Sequence, residues 1–377
     1  MRKNYDISAM KYWKLTLTLI SALFAKELMA ESPLRVPHII YDLGFDLRFD
    51  NREFSPSGYS SSGTIFGTRF YPTIGLETYS LGAVHNLIGG AEIRKDFGDI
   101  NDIGTHLISD LFFYYNFENN SFTITGGVFP RSKCKEVWST AFLSEKHIWY
   151  DPYIEGILFT TSGLDYRVEL GCDWMGMYGA GTSVKEQFMI FSAGHRMLGR
   201  HLKLGYNAYM VHFANSIDAP GVCDNILAEP FLELRFSDLW LTDRFSLKFG
   251  YIQSLQRDRL ETLDFMAPGL GEATLAIARG HVGIKNSLYY GKDIMPLYSK
   301  TDSAGVPYAD RLYFGDPFFR IYEDDSSSCG SYDRLELFYE KVLGGSLKIK
   351  ASAIFHFNNA SFSGSQQVVS LSYDFGR

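Results

Sequence analysis

Residues 41–50 read YDLGFDLRFD, and this stretch decides the fold class. Its odd-numbered positions are all aromatic or aliphatic, whereas its even-numbered positions hold three aspartates, one arginine and one glycine. Successive side chains of a β-strand point to opposite faces of the sheet, so this stretch has one apolar face and one ionic face. The same contrast returns along most of the chain, which is typical of a wall with lipid on one side and water on the other.

The strand at residues 165–174 shows the contrast most clearly. A register shift of one residue would turn four charges toward lipid, and each charge costs about 2–4 kcal/mol near the bilayer midplane. The apolar face carries Tyr166, Val168, Leu170, Cys172 and Trp174, and the ionic face carries Asp165, Arg167, Glu169 and Asp173.

The connections between predicted strands alternate in length. Short polar turns at 118–121, 160–163 and 342–346 contrast with long connections at 132–152, 217–225 and 291–331, and residues 51–62 also read as a loop. Outer-membrane barrels show this asymmetry between short periplasmic turns and long external loops. We therefore predict an all-β fold: a transmembrane, antiparallel, up-and-down β-barrel of about 16 strands, with roughly 14 to 18 acceptable.

The first thirty residues predict a secretory signal peptide. Lys11 and Lys14 precede the apolar run LTLTLISALFA at 15–25, which small residues follow. The run is too short to cross a bilayer as a helix, which needs about 20 apolar residues. We predict a signal peptide at 1–30 and an outer-membrane barrel at 31–377.

Composition excludes two classes of protein. A net charge of −7 and a pI near 5.7 leave no basic surface of the kind that nucleic acid requires, so we expect no nucleic-acid partner. A charged fraction of 21% and a mean hydropathy of −0.09 exclude an ordinary helical membrane protein. The 16% of aromatic residues and the 35 glycines favour strands and turns.

Four short strings resemble outer-membrane β-barrel proteins of Gram-negative bacteria, and loosely the phosphate-selective type of porin. They are HNLIGGAEIRKDFG (85–98), GGVFPR (126–131), YDPYIEG (150–156) and SLSYDF (370–375). The last strand ends in Phe375, which resembles the signal read by the barrel-assembly machinery, although Gly376 and Arg377 follow it. The resemblance implies the outer membrane as location, and outer-membrane lipid, lipopolysaccharide and the assembly machinery as partners. It also leaves a homo-oligomer possible.

Charged residues on the predicted inner face are candidates for lining a channel. Rings of charge at a constriction would set ion selectivity, and a barrel of about 16 strands is wide enough to hold water. The alternative is a lattice of salt bridges that only solvates and stiffens the inner wall. The candidates are Asp46, Arg48, Glu92, Arg94, Asp165, Arg167, Glu169, Glu233, Arg235, Lys248, Arg334, Glu336, Lys348 and Lys350.

Residues 132–152 show no two-residue period and are the candidate for a loop folded into the lumen. A connection of this length is usually functional or disordered, and its tryptophans and phenylalanine argue against disorder. The alternative is an external loop packed on its neighbours. The polar side chains that would line the narrowest point are Lys133, Lys135, Glu136, Lys146, His147 and Asp151.

The four cysteines leave two hypotheses open. Cys134, Cys223 and Cys329 fall in predicted loops, whereas Cys172 falls on the lipid-facing side of a strand. Disulfides are possible in an exported protein, with three pairings for four thiols. We hypothesise one bridge between loops, with free thiols as the alternative. No CxxC spacing indicates a metal site, and we predict no metal.

A search for catalytic residues finds two weak clusters. His212 precedes Asn215, Ser216 and Asp218, and His106 precedes Ser109 and Asp110, but nothing else supports a catalytic triad. We predict no catalytic residue, no cofactor and no enzyme activity.

The sequence thus predicts a porin-like channel for passive diffusion of small hydrophilic solutes. Three alternatives stay open: a barrel enzyme that hydrolyses lipid or peptide, a structural or surface-binding barrel without transport, and a secreted soluble β protein.

Overall fold

The computed structural model describes residues 36–55, 62–99, 108–177, 186–214, 221–301, 305, 307–320 and 328–374. Sixteen β-strands fall within these residues. They are β1 (His38–Phe54), β2 (Gly63–Ser80), β3 (Ala83–Asp96), β4 (Asp110–Glu118), β5 (Phe122–Pro130), β6 (Tyr153–Ser162), β7 (Tyr166–Gly176), β8 (Glu186–Leu198), β9 (Leu202–Ala214), β10 (Val222–Leu239), β11 (Thr242–Asp258), β12 (Gly269–Arg279), β13 (Val282–Gly291), β14 (Gly330–Leu343), β15 (Leu347–Asn358) and β16 (Ser361–Asp374).

The strands close into one barrel. Each pairs antiparallel with its neighbours in sequence, and β1 pairs with β16 from Gly44↔Asp374 to Phe54↔Gly364. A closed sheet has no edge strand, so the backbone groups of every strand find partners within the sheet. The predicted all-β, antiparallel barrel of about 16 strands is confirmed.

Alternate residues face outward and inward as predicted. On β1 Tyr41 is 62% exposed to the outside, whereas Asp50 on the opposite parity is fully buried. On β4 Leu111 and Phe113 point outward, and on β7 Glu169 is buried on the inner face. The apolar parity therefore covers the outside of the barrel, and the ionic parity lines the lumen.

The two ends of the barrel differ. At the short-turn end two or three residues join β2 to β3, β4 to β5, β6 to β7, β8 to β9, β10 to β11, β12 to β13 and β14 to β15. At the long-loop end the connections are 55–62, 97–109, 131–152, 177–185, 215–221, 259–268 and 292–329, plus the two-residue turn 359–360. Strand β1 begins and β16 ends at the short-turn end.

Two predicted boundaries were wrong, and one strand was missed. Strand β1 runs to Phe54, so the connection begins at 55 instead of 51, and β10 begins at Val222, so residues 222–225 are strand instead of loop. Strand β8 was not predicted, because its inward residues Met189, Phe191 and Ala193 are apolar and remove the contrast between its faces. The predicted signal peptide and Phe375 lie outside the described residues.

In the part of the chain that the structure describes, helix is confined to four short segments. They are the helices Glu145–Tyr150 and Ala309–Leu312 and the 3-10 turns Arg131–Lys133 and Pro317–Phe319. Within the described ranges, no helix has the length and hydropathy to cross a membrane. All four segments belong to two long connections, 131–152 and 292–329, which enter the barrel.

Candidate functional site

The connection between β5 and β6, residues 131–152, folds into the lumen; we name it the inserted loop. Its base is closed by a bond from the Arg131 amide to the Pro152 carbonyl (2.7 Å). The buried Arg131 guanidinium donates to Asp173 Oδ2 on β7 (2.9 Å) and to the Tyr153 carbonyl (2.9 Å). These bonds tie the loop to the inner wall at the point where it leaves the sheet.

The first half of the inserted loop lies along β7 to β9. The amides of Lys135 and Glu136 donate to the two carboxylate oxygens of buried Glu169, at 2.7 and 3.3 Å. The Glu136 carboxylate lies 2.7 Å from His195 Nδ1 and 3.9 Å from Lys203 Nζ. A glutamate of the barrel wall therefore holds the loop backbone, and a glutamate of the loop contacts His195 and Lys203 of the wall.

The second half of the loop reaches the opposite side of the barrel. The Ser144 hydroxyl accepts a bond from the His147 amide (3.1 Å) and caps the helix Glu145–Tyr150. Glu145, the first residue of that helix, accepts a bond from Arg48 Nη2 of β1 (2.7 Å) and lies 3.9 Å from Arg334 Nη2 of β14. Trp149 lies beneath the Arg69 guanidinium of β2, 4.5 Å from the ring centre. The loop thus spans the lumen from β7–β9 to β14, β1 and β2.

The connection between β13 and β14 also enters the lumen and pairs with the inserted loop. The Ser144 amide donates to the Phe314 carbonyl (2.7 Å), and the Asp316 amide donates to the Thr140 carbonyl (2.7 Å). Between them, a Cβ atom on Gly315 would lie 2.1 Å from the Ala141 carbonyl oxygen, so the two backbones approach too closely for a side chain there. Two connections that are remote in sequence therefore form one structure inside the barrel.

An apolar core holds the two connections together. It contains Phe142 from the inserted loop and Phe319 from the second connection, both with no exposed surface. Wall residues complete it, including Tyr209 of β9 at 5.3 Å from the Phe142 ring and Tyr289 of β13 at 4.7 Å from the Phe319 ring. The part of the lumen next to β9 and β13 is therefore filled with protein, not water.

The remaining space next to β1–β4 is a cavity of about 900 Å³. It reaches toward the short-turn end, since Ser346 and Asp374 lie on its boundary. Its walls combine aromatic and charged groups: Tyr71, Phe112, Tyr114, Trp138, Tyr153, Asp42, Asp46, Arg69, Glu92 and Lys133. Such a mixture suits small solutes that carry both polar and apolar groups.

Burial and neighbouring charges set the protonation of the loop groups. Burial raises the pKa of Glu145, but the guanidinium groups of Arg48 and Arg334 outweigh it, so the pKa lies below its ordinary value. Burial and Arg131 lower the pKa of His147 to about 3, so its imidazole is neutral where it stacks on Phe314. Burial raises the pKa of Asp151 to about 6 against the opposing effect of Arg131.

Most predicted channel-lining residues occupy inward positions of the strands and form ion pairs. Arg48 pairs with Asp50 and Glu145, Asp46 with Arg69, Lys248 with Glu229 and Glu272, and Glu336 with Arg334 and Lys350. The pairs Arg94–Glu92, Arg167–Glu169, Arg235–Glu233 and Lys348–Glu340 lie at 3.4–4.0 Å. Asp165 differs: it lies in the turn before β7 and pairs with outward Arg196 (3.5 Å), so it belongs to the rim.

The residues predicted for the inserted loop occupy different surroundings. Lys133 lies over the Tyr114 ring at 5.2 Å and borders the cavity with Glu136. Lys135 is exposed and bonds the Ser132 carbonyl, and Lys146 is exposed. Asp151 contacts Arg131 (3.1 Å) at the base of the loop. The structure therefore brings Glu136 and Lys133 to the cavity, whereas Lys146 is exposed and does not line it.

Several charged lumen residues were missed by the sequence prediction. Arg52 continues the even-numbered face of β1 and would have been found by extending the two-residue period beyond Asp50. Arg69 lies on β2, where glycines and Pro72 obscure the alternation. Glu145 and Arg131 lie outside any periodic stretch, so no sequence signal marked them.

Two predictions about cysteine and histidine are corrected or narrowed. All four cysteines are free thiols, so the hypothesis of a bridge between loops was wrong. Cys223 lies on β10 and is buried, whereas Cys172 does occupy an outward position of β7. His212 faces the outside of β9, away from the lumen, and Asn215, Ser216, Asp218 and His106 lie outside the described residues.

Comparison with solved structures identifies the fold. The structure is similar to a loop-deletion mutant of OmpT, an outer membrane protein of Vibrio cholerae, with a TM-score of 0.56 and 8% identity over 90% of this chain and 100% of that chain. The chain has the fold of an outer-membrane β-barrel. It is also similar to OccK9 (OpdG) of Pseudomonas aeruginosa, with a TM-score of 0.51 and 9% identity over 90% of this chain and 98% of that chain. No protein-family model and no curated protein sequence matches this chain.

Proposed function

We propose that this barrel is an outer-membrane channel of a Gram-negative bacterium, through which small hydrophilic solutes diffuse passively. The observation that carries the proposal is the inserted loop: it crosses a closed barrel and places Glu145 between Arg48 and Arg334. A structural barrel has no need of a charged constriction, whereas a channel uses one to select solutes by size and charge.

The lining chemistry supports polar solutes. Oppositely charged groups lie side by side on the wall of the remaining lumen, as Asp46 of β1 and Arg69 of β2 do at 2.7 Å. A solute that carries charge or several hydroxyl groups can exchange its water contacts for these groups as it passes. An apolar solute gains little from them, because it offers these groups no hydrogen bond in place of the water that it displaces. The proposal requires no cofactor and no energy source.

The outer-membrane setting brings further proposed partners. The apolar side chains on the outward face of the strands require lipid around the barrel. Lipopolysaccharide forms the outer leaflet of that membrane. The barrel-assembly machinery would insert the chain, and a homo-oligomer is compatible with the exposed outer wall. The proposed orientation places the short-turn end in the periplasm, as is usual for outer-membrane barrels.

Single-channel recording of the purified protein in planar bilayers tests the proposal. We expect stepwise conductance from the full chain, and a larger step after deletion of residues 134–146, which removes most of the inserted loop. A deletion of residues 260–264 is the matched control, because Leu260 and Leu263 on that long connection are exposed. Absence of conductance from the full chain, or the same step after the 134–146 deletion, would contradict the proposal.

A further inference from the structure

Five outward-facing side chains on consecutive strands form one continuous row around part of the barrel. The residues face each other directly in the sheet register: Trp174↔Phe188, Phe188↔His212, His212↔Asp224 and Asp224↔Arg257, from β7 to β11. Each lies one or two residues from the end of its strand at the long-loop end. We name these five residues the outer row.

One half of the outer row is ionic although it faces away from the lumen. The Asp224 carboxylate accepts bonds from Arg257 Nε (2.7 Å) and from Arg259 Nε (2.9 Å) and Nη2 (3.0 Å), and His212 Nδ1 lies 3.1 Å from it. Asp224 is only 3% exposed, since these groups cover it. Two guanidinium groups around one carboxylate give these three residues a net charge of +1.

The guanidinium group of Arg257 is held in place. It lies over the Phe265 ring, 4.2 Å from the ring centre, and its Nη1 donates to the Leu263 carbonyl (3.1 Å). Among the described contacts, Arg257 Nη2 and Arg259 Nη1 donate to no protein acceptor. Arg259 is 38% exposed at its side chain. The group of Asp224, Arg257 and Arg259 therefore offers outward N–H donors and carries a net charge of +1.

The other half of the outer row is aromatic, and it indicates the depth at which the row lies in the membrane. Trp174 stacks on Phe188 at 5.3 Å, and Phe188 stacks on His212 at 4.9 Å. Aromatic side chains near the strand ends of membrane barrels mark the boundary between hydrocarbon and headgroups. The adjoining arginines therefore lie at the level of the lipid headgroups.

We propose that Arg257 and Arg259, with the aromatic part of the outer row, form a docking surface for the phosphate group of an anionic lipid in the outer leaflet. Charge complementarity favours this occupant: a positive excess at headgroup level faces the membrane, and arginine N–H groups match phosphate oxygens in geometry. The rings of Trp174 and Phe188 then pack against the lipid body. The inference rests on the outer-membrane location proposed above, but not on transport.

Binding of lipid A to the detergent-purified full chain tests this surface. Native mass spectrometry would measure the binding of phosphorylated and of dephosphorylated lipid A. The proteins compared are the wild type, the double variant Arg257→Gln/Arg259→Gln and the variant Arg279→Gln. Arg279 is the matched control, because it is exposed on an outward position of β12 at the short-turn end. Each arginine near a lipid surface contributes about five- to sixfold to affinity, so we expect about a 30-fold weaker affinity in the double variant.

The outcomes separate this inference from the proposed channel. Selective binding of phosphorylated lipid A that the double variant loses, and that the control and Arg257→Lys/Arg259→Lys largely keep, would support the surface. Equal binding of both lipid forms, or unchanged binding in the double glutamine variant, would overturn it. A change of oligomeric mass without loss of lipid would assign the surface to a second copy of the chain, and would overturn it as well. Because the outer row does not face the lumen, single-channel conductance should stay the same in every variant.

Discussion

The carboxylate of Glu145 lies 2.7 Å from the Nη2 atom of Arg48, although the two residues are 97 positions apart in sequence. This bond joins the helix of the inserted loop to the first strand of the barrel. It also places a negative charge between two arginines inside the barrel, since Arg334 Nη2 lies 3.9 Å from the same carboxylate.

Glu145→Gln tests the electrostatic part of the proposed constriction. Loss of the carboxylate leaves Arg48 and Arg334 uncompensated, so we expect the permeability ratio of anions to cations to rise on the order of twofold. Reversal potentials in asymmetric salt measure this ratio. Glu261→Gln is the control, because Glu261 is an exposed loop residue that pairs with Lys300. If both variants keep the wild-type reversal potential, Glu145 does not set selectivity.

Arg131→Met tests the anchor of the inserted loop. The variant leaves the Asp173 carboxylate, which is 3% exposed, without its buried partner, and breaking such a pair costs about 3–5 kcal/mol. We expect a lower midpoint of thermal unfolding and noisier conductance. The double variant Arg131→Met/Asp173→Leu should recover part of the stability, because no buried charge remains. Arg196→Met, which breaks an exposed pair with Asp165, should cost about 0–1 kcal/mol, and an equal loss in both single variants would refute the anchor.

Gly315→Ala tests the close approach of the two connections inside the lumen. The new methyl group would lie 2.1 Å from the Ala141 carbonyl oxygen, and backbone cannot move as easily as a flexible side chain. We expect the bonds from Ser144 to Phe314 and from Asp316 to Thr140 to break, and the mean conductance to rise. Gly271→Ala is the control, since its nearest neighbour would be 3.9 Å away. Wild-type conductance in Gly315→Ala would show that the two connections separate without widening the channel.

We expect the second connection, residues 292–329, to make the conductance depend on pH. Burial raises the pKa of Asp293 to about 6, and burial also raises that of Asp316 to about 6 despite Arg334 and Arg52, from an ordinary value of 3.8. A raised pKa means that the docked connection holds the proton more tightly than the undocked one. Docking is therefore most favourable below about pH 4 and weakens as pH rises through 6.

We accordingly expect a lower mean conductance at pH 4.5 than at pH 7.5. In Asp293→Asn/Asp316→Asn both side chains stay neutral, so the conductance at pH 7.5 should be lower than that of the wild type, although Asp151 of the inserted loop still titrates near pH 6. Asp264→Asn, at an exposed loop residue, should keep the wild-type profile. A double variant with an unchanged pH profile would exclude these two carboxyl groups as the cause.

Strand β8 shows why a two-residue period in the sequence does not identify every strand of this barrel. A strand with lipid outside and water inside alternates apolar and polar residues, and β7 does so at Leu170 and Glu169. On β8 the inward residues Met189 and Phe191 pack under the inserted loop instead of facing water. Both faces of the strand are then apolar, and the two-residue period disappears.

The beginning of β10 was predicted as a loop for the opposite reason, because both of its faces are polar. Residues 222–225 carry Asp224 on the outward face and Asn225 on the inward face, so both faces are polar and the segment reads as a loop. The segment is a strand because it pairs with β9 and β11. Its Asp224, for example, lies opposite His212 of β9 and opposite Arg257 of β11, which is 33 positions away in sequence.

The sequence by itself determined the fold class and the solvent that most strand residues face, because a two-residue period records the difference between lipid and water at every position of a strand. It also indicated a loop without that period, and the loop does enter the lumen. Only the tertiary structure decided which groups meet there: that Glu145 faces Arg48, that Gly315 lies against Ala141, and that Asp224 gathers two arginines on the outside. These contacts join segments through the closure of the barrel, and the spacing of residues along one strand carries no information about which distant segment will lie opposite.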